Sequence, residues 1–264
     1  MLPRNVKKLI AVASGKGGVG KSTVAVNLAL ALAKTGAKVG LLDADIYGPS
    51  QPIMLGSVGI KPVIKDKTIQ PIICHGIQSI SIGNLVHPNV AMVWRGPMLG
   101  KMLEQLMFDT AWDADYLIVD LPPGTGDVQL TLCQKMAVSG AVIVTTPQDL
   151  ALSDVRRACE MFNKLNVNIL GVIENMSVWH CGKCGHEEKI FGEKGGEKLS
   201  AEYNIELLGS IPLDIRIREM TENGHPVVEN IFIDIARKLS EKLASQPKNY
   251  SSVFPKIVVE GGKK

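Results

Sequence analysis

The sequence predicts an α/β fold, a mostly parallel β-sheet flanked by helices on both faces. Short apolar runs alternate along the chain with segments of helical period, the trace left by repeated βαβ units. The runs are continuously apolar, as strands buried on both faces require. The first of them leads straight into a glycine-rich loop that opens a helix, the order of a phosphate-binding turn.

Leu9-Ile10-Ala11-Val12-Ala13 reads as the first strand, and the helix after the loop, over 22–34, carries Val24, Leu28, Ala31 and Leu32 on one stripe. It stops near Gly36. Val39-Gly40-Leu41-Leu42 is the second strand, ending in Asp43-Ala44-Asp45. Between 46 and 88, Gly and Pro punctuate short β-like pieces at 69–73 and 77–82, which read as an insertion or edge ribbon. Pro97 suits the first turn of a helix running to 107. Tyr116-Leu117-Ile118-Val119 is the third strong strand and runs into Asp120. Then come a helix over 128–136, a strand over 141–144, a helix over 151–165 and the strand Ile169-Leu170-Gly171-Val172-Ile173. An irregular stretch is expected over 179–186, then a helix over 195–202, a strand over 207–211 and a last helix over 231–243. Residues 1–244 are expected to form a single domain. Residues 245–264, rich in Gln, Pro, Ser, Gly and Lys, are expected to form a flexible tail.

The loop Gly15-Lys16-Gly17-Gly18-Val19-Gly20-Lys21-Ser22-Thr23 fits G-x-x-x-x-G-K-[ST] with both flanks in place. Glycines let the backbone curl its N–H groups toward phosphate oxygens, and the helix adds its positive N-terminal end. In this chemistry Lys21 reaches the β- and γ-phosphates and the Ser22 hydroxyl ligates Mg²⁺. The loop is therefore expected to bind a nucleoside triphosphate. Ligands of an open parallel sheet sit at the carboxyl ends of its strands, where Asp43 and Asp45 leave the second strand and Asp120 the third. An apolar strand ending in an aspartate is the Walker-B pattern, which assigns Asp120 to Mg²⁺. Of Asp43 and Asp45, one is expected to serve the metal and the other to orient or activate the attacking water. The residues alone leave open which does which.

The composition sets limits. The chain has 264 residues, is 45% hydrophobic and 21% charged, and carries a net charge of +3. That charge is too small to argue for nucleic acid or an anionic membrane as partner. No apolar run approaches the ~20 residues that span a bilayer, and the first residues lack the apolar region of a secretory signal. Five cysteines, an odd number, argue against a disulfide framework and for a reducing, cytoplasmic setting.

The P-loop with its second lysine, Lys16, resembles the deviant Walker A loop of the MinD/ParA/nitrogenase-iron-protein superfamily, whose ATPases dimerise face to face over their nucleotides. Within it, Asp43-Ala44-Asp45-Ile46-Tyr47-Gly48-Pro49-Ser50-Gln51-Pro52, Trp94-Arg95-Gly96-Pro97-Met98 and Asp120-Leu121-Pro122-Pro123-Gly124-Thr125-Gly126-Asp127 resemble the Mrp/ApbC family of iron–sulfur cluster carrier ATPases. So do Glu174-Asn175-Met176-Ser177 and Cys181-Gly182-Lys183-Cys184-Gly185-His186. That family is related to mitochondrial nucleotide-binding-protein-like assembly factors. The resemblance implies a homodimer in which Lys16 crosses to the partner's phosphates. It implies that Asp45 activates water with Asp43 nearer the metal, that Asp120 holds Mg²⁺ through water, and that Asn175 reads the adenine edge; a cap on the turn after the strand is the other role open to Asn175. No role follows for Arg95 beyond a salt bridge. Many relatives carry a domain before the P-loop, whereas Met1 to Val6 alone precede the first strand here, so a short form or a separately supplied module is expected.

Cys74, Cys133 and Cys159 are isolated and read as buried structural thiols. Cys181 and Cys184 form C-x-x-C, whose thiolates are the soft ligands that iron–sulfur clusters and zinc select. A [4Fe–4S] cluster takes four thiolates, which a two-fold dimer supplies from two cysteines per chain. The resemblance implies such a labile cluster, shared across the interface and delivered to apoproteins. Zinc held by the same four thiolates, or by Cys181 and Cys184 with His180 and His186, is the chemical alternative. A redox dithiol is weaker, because no helix N-terminus presents the first thiol. A positioning ATPase of MinD or ParA type would need a basic amphipathic C-terminal helix or a concentrated basic patch. Here Pro255 interrupts the end and charges are mixed throughout, so neither membrane nor nucleic acid is expected as partner.

Overall fold

β1 (Val6–Ser14), α1 (Lys21–Lys34) and β2 (Val39–Asp43) form the first βαβ unit. The computed structural model describes residues 1–85, 96–226 and 228–246. A one-turn helix, α2 (Gln51–Met54), precedes a small hairpin of β3 (Ile64–Lys65) and β4 (Thr68–Ile69), and then β5 (Ile72–Cys74) and β6 (Ile77–Ser81). Next come α3 (Gly96–Phe108), β7 (Ala114–Asp120), α4 (Asp127–Lys135), β8 (Gly140–Thr145), α5 (Asp149–Lys164) and β9 (Ile169–His180). The described chain ends with β10 (Glu187–Glu188), α6 (Gly195–Tyr203), β11 (Leu207–Leu213), α7 (Ile215–Glu222) and α8 (Asn230–Ser245).

The main sheet runs β10-β9-β8-β1-β7-β2-β6-β5, with β11 also paired to β9. Its interior pairs are parallel, and only β5 and β10 join antiparallel. The strands bury both faces, which is why they are continuously apolar. Leu9, Ala11 and Ala13 of β1 join Leu117 and Val119 of β7 in one core, beneath Leu103 of α3 and Phe162 of α5. Ile10, Val12 and Ile118 point the other way, into a core filled by Leu28 of α1 and Phe232 and Leu239 of α8. Each fully buried side chain of this size contributes roughly 1.5–3 kcal/mol relative to its exposure. Because β1 lies between β7 and β8, strands added early and late fall on opposite sides of it. Its carboxyl end therefore opens at a switch point, where parallel sheets place ligands.

Three details differ from the expectation. β6 pairs in parallel with β2, Asp43 opposite Ser81, so 77–82 supplies a strand inside the main sheet and only β5 is edge ribbon. β9 continues through Asn175 and Trp179 to His180, held by β11 on one side and β10 on the other, where the sequence predicts a strand ending at 173 and an irregular stretch from 179; Asn175 thus lies within a strand, and the turn-cap alternative does not apply. α2 and α7 are too short to leave a readable helical period. Arg95, Trp94 and residues 247–264 of the expected tail lie outside the described residues. Among the described residues no helix is long and apolar enough to cross a membrane.

Candidate functional site

The P-loop is clamped from two sides. Gly20 caps α1 with φ +79°, a left-handed conformation that suits glycine, and a Cβ there would stand 2.2 Å from the Asn175 amide nitrogen. That amide donates to the Val19 carbonyl at 2.9 Å, tying β9 to the loop. On the other side a Cβ on Gly15 would sit 2.3 Å from the backbone of Asp154 and Val155 in α5. Gly20 has no side chain with which to cap the first turn of α1, and no acidic residue occupies that turn, which suits its N–H groups to an anion. Lys16 Nζ donates to Gln148 Oε1 at 3.3 Å.

Lys21 is almost completely buried, and it is paired. Its Nζ donates to Asp120 Oδ1, lies 3.6 Å from Asp45 Oδ2 and 3.3 Å from the Ser22 hydroxyl. Parallel register places Asp43 beside Asp120 on neighbouring strands. The structure thus gathers Lys21, Ser22, Asp43, Asp45 and Asp120 at one strand end. Asp43 is fully buried and its oxygens are engaged within the protein: Oδ2 accepts from the Ser81 hydroxyl at 2.9 Å and the Gln51 N–H at 3.2 Å, and Oδ1 from the Asp45 N–H at 3.1 Å. Gln51, which sequence reasoning did not single out, completes the cluster, with its side-chain amide donating to Asp120 Oδ2 at 2.9 Å and the Ser22 carbonyl at 3.1 Å. Its partners are 69 and 29 residues away, so no local pattern marks it.

Burial, and the neighbouring Asp120 carboxylate, push Asp43 up from 3.8 to about 7. Burial likewise raises Asp45, against the pull of Lys21. The folded state therefore keeps a proton on Asp43 that the unfolded chain releases near its ordinary value. Its contribution to stability is present in full below about pH 4 and is lost as pH rises through 7. In urea unfolding of nucleotide-free protein, wild type should lose more stability between pH 5 and pH 7 than Asp43→Asn. Parallel losses would show that Asp43 is ionised throughout.

A cavity of about 360 Å³ adjoins the loop, lined by Gly20, Asn175, Met176, Pro212, Asp214 and Ile217 among others, and it is mostly apolar. Its size and walls suit a planar base. Asn175 borders it, with its amide nitrogen engaged by the P-loop. Pro212 and Asp214 went unremarked in the sequence, although Asp214 follows a strand as Asp120 ends one.

Cys181 and Cys184 sit between β9 and β10, at the tip of a hairpin. Cys181 donates its N–H to the His186 carbonyl at 2.9 Å and accepts from Gly185 N–H at 2.9 Å, which folds the C-x-x-C into a tight turn. The N–H groups of Lys183 and Cys184, and the Cys184 side chain, lower the Cys181 thiol below its usual range. Cys133 and Cys159 are buried and pushed up to about 12, so they are poor thiolates. His180 turns toward Glu187, Nδ1 to Oε1 3.4 Å. Among the described residues no three His, Cys, Asp or Glu side chains converge to hold a metal ion. A zinc site built from Cys181, Cys184, His180 and His186 of one chain is thus not assembled. Mg²⁺ asks less of the protein, since one or two carboxylates complete its shell with phosphates and water. The hard oxygens of Ser22 and Asp120 fit that demand.

The model of the ParA family, described as the NUBPL iron-transfer P-loop NTPase, matches residues 5–246. The chain belongs to this family. As a ParA-family P-loop NTPase it is a nucleotide-binding protein of a nucleotide-hydrolysing class. It is 60% identical over 225 residues to an iron–sulfur cluster carrier protein of Pseudomonas fragi, covering 84% of this chain and 78% of that one. To the Escherichia coli K12 protein of the same name it is 54% identical, over 95% of this chain and 69% of the relative. The mouse iron–sulfur cluster transfer protein NUBPL is 46% identical, over 92% and 79%. A solved nucleotide-binding protein of Archaeoglobus fulgidus, in complex with ADP, superposes with a TM-score of 0.74 at 39% identity, over 84% of this chain and 88% of that one. The cell division ATPase MinD of Pyrococcus furiosus, 20% identical, shares the fold, with a TM-score of 0.66 over 89% and 99%.

Proposed function

We propose that this protein is an ATP-dependent carrier that holds a labile [4Fe–4S] cluster across a homodimer interface and hands it to apoproteins in a reducing, cytoplasmic setting. The observation that carries this is β9. One strand touches the P-loop through Asn175 and, at its far end, delivers Cys181, whose thiol is tuned toward thiolate. The names of the curated relatives support the cargo, and the ADP in the Archaeoglobus protein supports an adenine nucleotide.

In this reading the P-loop, Gly15 through Thr23, wraps the phosphates, and Lys21 leaves Asp120 for them. Ser22 and Asp120 would hold Mg²⁺, which supplies charge neutralisation at the phosphates. Asp45, partly exposed beside Lys21, polarises the attacking water. Asp43 has its oxygens committed to Ser81, Gln51 and the Asp45 N–H, so it orients the loop that carries Asp45. The Asn175 side borders the adenine cavity. Lys16 swings from Gln148 to the partner's phosphates, and the dimer covers Tyr47 and Leu150, exposed at 71% and 77% on segments beside the loop.

Protein purified without oxygen tests the cargo directly. Iron and sulfide should be found at about one [4Fe–4S] cluster per two chains, with the visible absorption of such a cluster. Zinc without sulfide would identify a zinc-stapled ATPase instead and sink the carrier reading.

A further inference from the structure

Gln51 stands out among the buried polar groups. Its side chain is fully enclosed, yet among the described residues its Oε1 has no hydrogen-bond partner, a state it shares with Asn27, Asn84 and Thr146, none of which hydrogen-bonds to Asp120. The orientation of the amide is fixed by its neighbours: a carboxylate oxygen of Asp120 and the carbonyl of Ser22 only accept, so the nitrogen faces them and the oxygen is left over. A buried acceptor without a donor is costly. It is retained more readily where a ligand brings the donor. The backbone N–H of the same residue holds Asp43. Gln51 therefore joins the P-loop, the end of β7 and the end of β2 through one side chain and one amide.

Both oxygens of Asp120 are taken, Oδ1 by Lys21 and Oδ2 by Gln51. The two partners are not equivalent. Lys21 is a cation that phosphate competes for, whereas Gln51 is a neutral donor locked by the Ser22 carbonyl. We infer that Gln51 is a positioning residue for the divalent cation: it fixes the Asp120 carboxylate through Oδ2, so that the departure of Lys21 exposes Oδ1, correctly aimed, and it keeps Oε1 for a donor that arrives with the hydrated ion. This rests on the assignment of Asp120 to Mg²⁺. Partners of this outer kind commonly contribute a factor of about 10–100 to metal affinity.

The test compares Gln51→Met, which matches the length and volume, with Gln51→Ala and wild type. A fluorescent ADP analogue is titrated in Mg²⁺ and again in EDTA, and melting temperatures are recorded without ligand. In wild type, Mg²⁺ should tighten binding. In Gln51→Met the tightening by Mg²⁺, taken as the ratio of affinities in Mg²⁺ and in EDTA, should shrink about tenfold relative to wild type. A Gln51→Met protein that keeps the full Mg²⁺ effect overturns the inference. So does an equal loss of affinity in Mg²⁺ and EDTA accompanied by a lower melting temperature, because Gln51 would then be a packing strut. If wild type itself binds equally with and without Mg²⁺, the Asp120 assignment falls, and the inference with it.

Discussion

Replacing Cys181 and Cys184 together by serine should abolish iron and sulfide uptake during anaerobic reconstitution and leave nucleotide affinity within about twofold of wild type. A hydroxyl is a hard, weakly acidic donor that does not substitute for the soft thiolate in an iron–sulfur cluster. The loss should be complete, because Cys133 and Cys159 are buried and held near 12, and Cys74 is raised by burial, so none offers a replacement thiolate. The fold should not notice. Cys184 is exposed and Cys181 half-buried at a hairpin tip, where substitutions stay within about 0.5 kcal/mol. Iron and sulfide content, melting temperature and nucleotide titration on one preparation separate loss of the ligands from loss of structure. A double variant that retained wild-type iron and sulfide would place the cluster elsewhere. Each single variant should fail as well, since a dimer would then present two thiolates where a cubane needs four.

The layout of the sheet was legible because its strands are buried on both faces and so leave unbroken apolar runs, as at 9–13 and 116–119. The carboxylates were legible because parallel strands deliver their last residues to one edge, which brings Asp43 beside Asp120. Legibility ended where contact is long-range or the pattern is polar. The second half of β9, with Glu174, Asn175 and Ser177, has no apolar periodicity. Met176 adopts φ +56° there, and the pairing with β11 slips between Ile211 and Leu213. Only the flanking strands make it a strand. Gln51 lies between Pro49 and Pro52 in a stretch that reads as a loop, and its roles exist only once three separate segments meet. The contact of Lys16 with Gln148, 132 residues away, is of the same kind. Pro212 and Asp214 gain meaning only from the cavity beside Gly20.

The buried pair of Lys21 and Asp120 carries the other large expected effect, and it separates two contributions of one lysine. Lys21→Met removes the cation from a site holding Asp120 and Asp43, both fully buried, with Asp45 close by. Breaking a buried pair by removing one partner typically costs about 3–5 kcal/mol, because the other charge stays enclosed without compensation. The nucleotide-free variant should therefore unfold at clearly lower urea. Gln51 still donates to Asp120 Oδ2, which places the expected loss nearer 3 kcal/mol than 5. Nucleotide affinity should fall by more than about 100-fold, since the phosphates lose a buried, hydrogen-bonded cation. The double variant Lys21→Met with Asp120→Asn distinguishes the two. Asparagine is neutral, so burying it beside methionine no longer encloses a naked charge, and most of the lost stability should return. Nucleotide binding should not return, because the cation is still missing. If stability stayed low in the double variant, Lys21 would be supporting the fold through packing of its stem rather than through its charge. If binding recovered, the phosphates would be held by the α1 amides alone, and Lys21 would matter only to the empty protein.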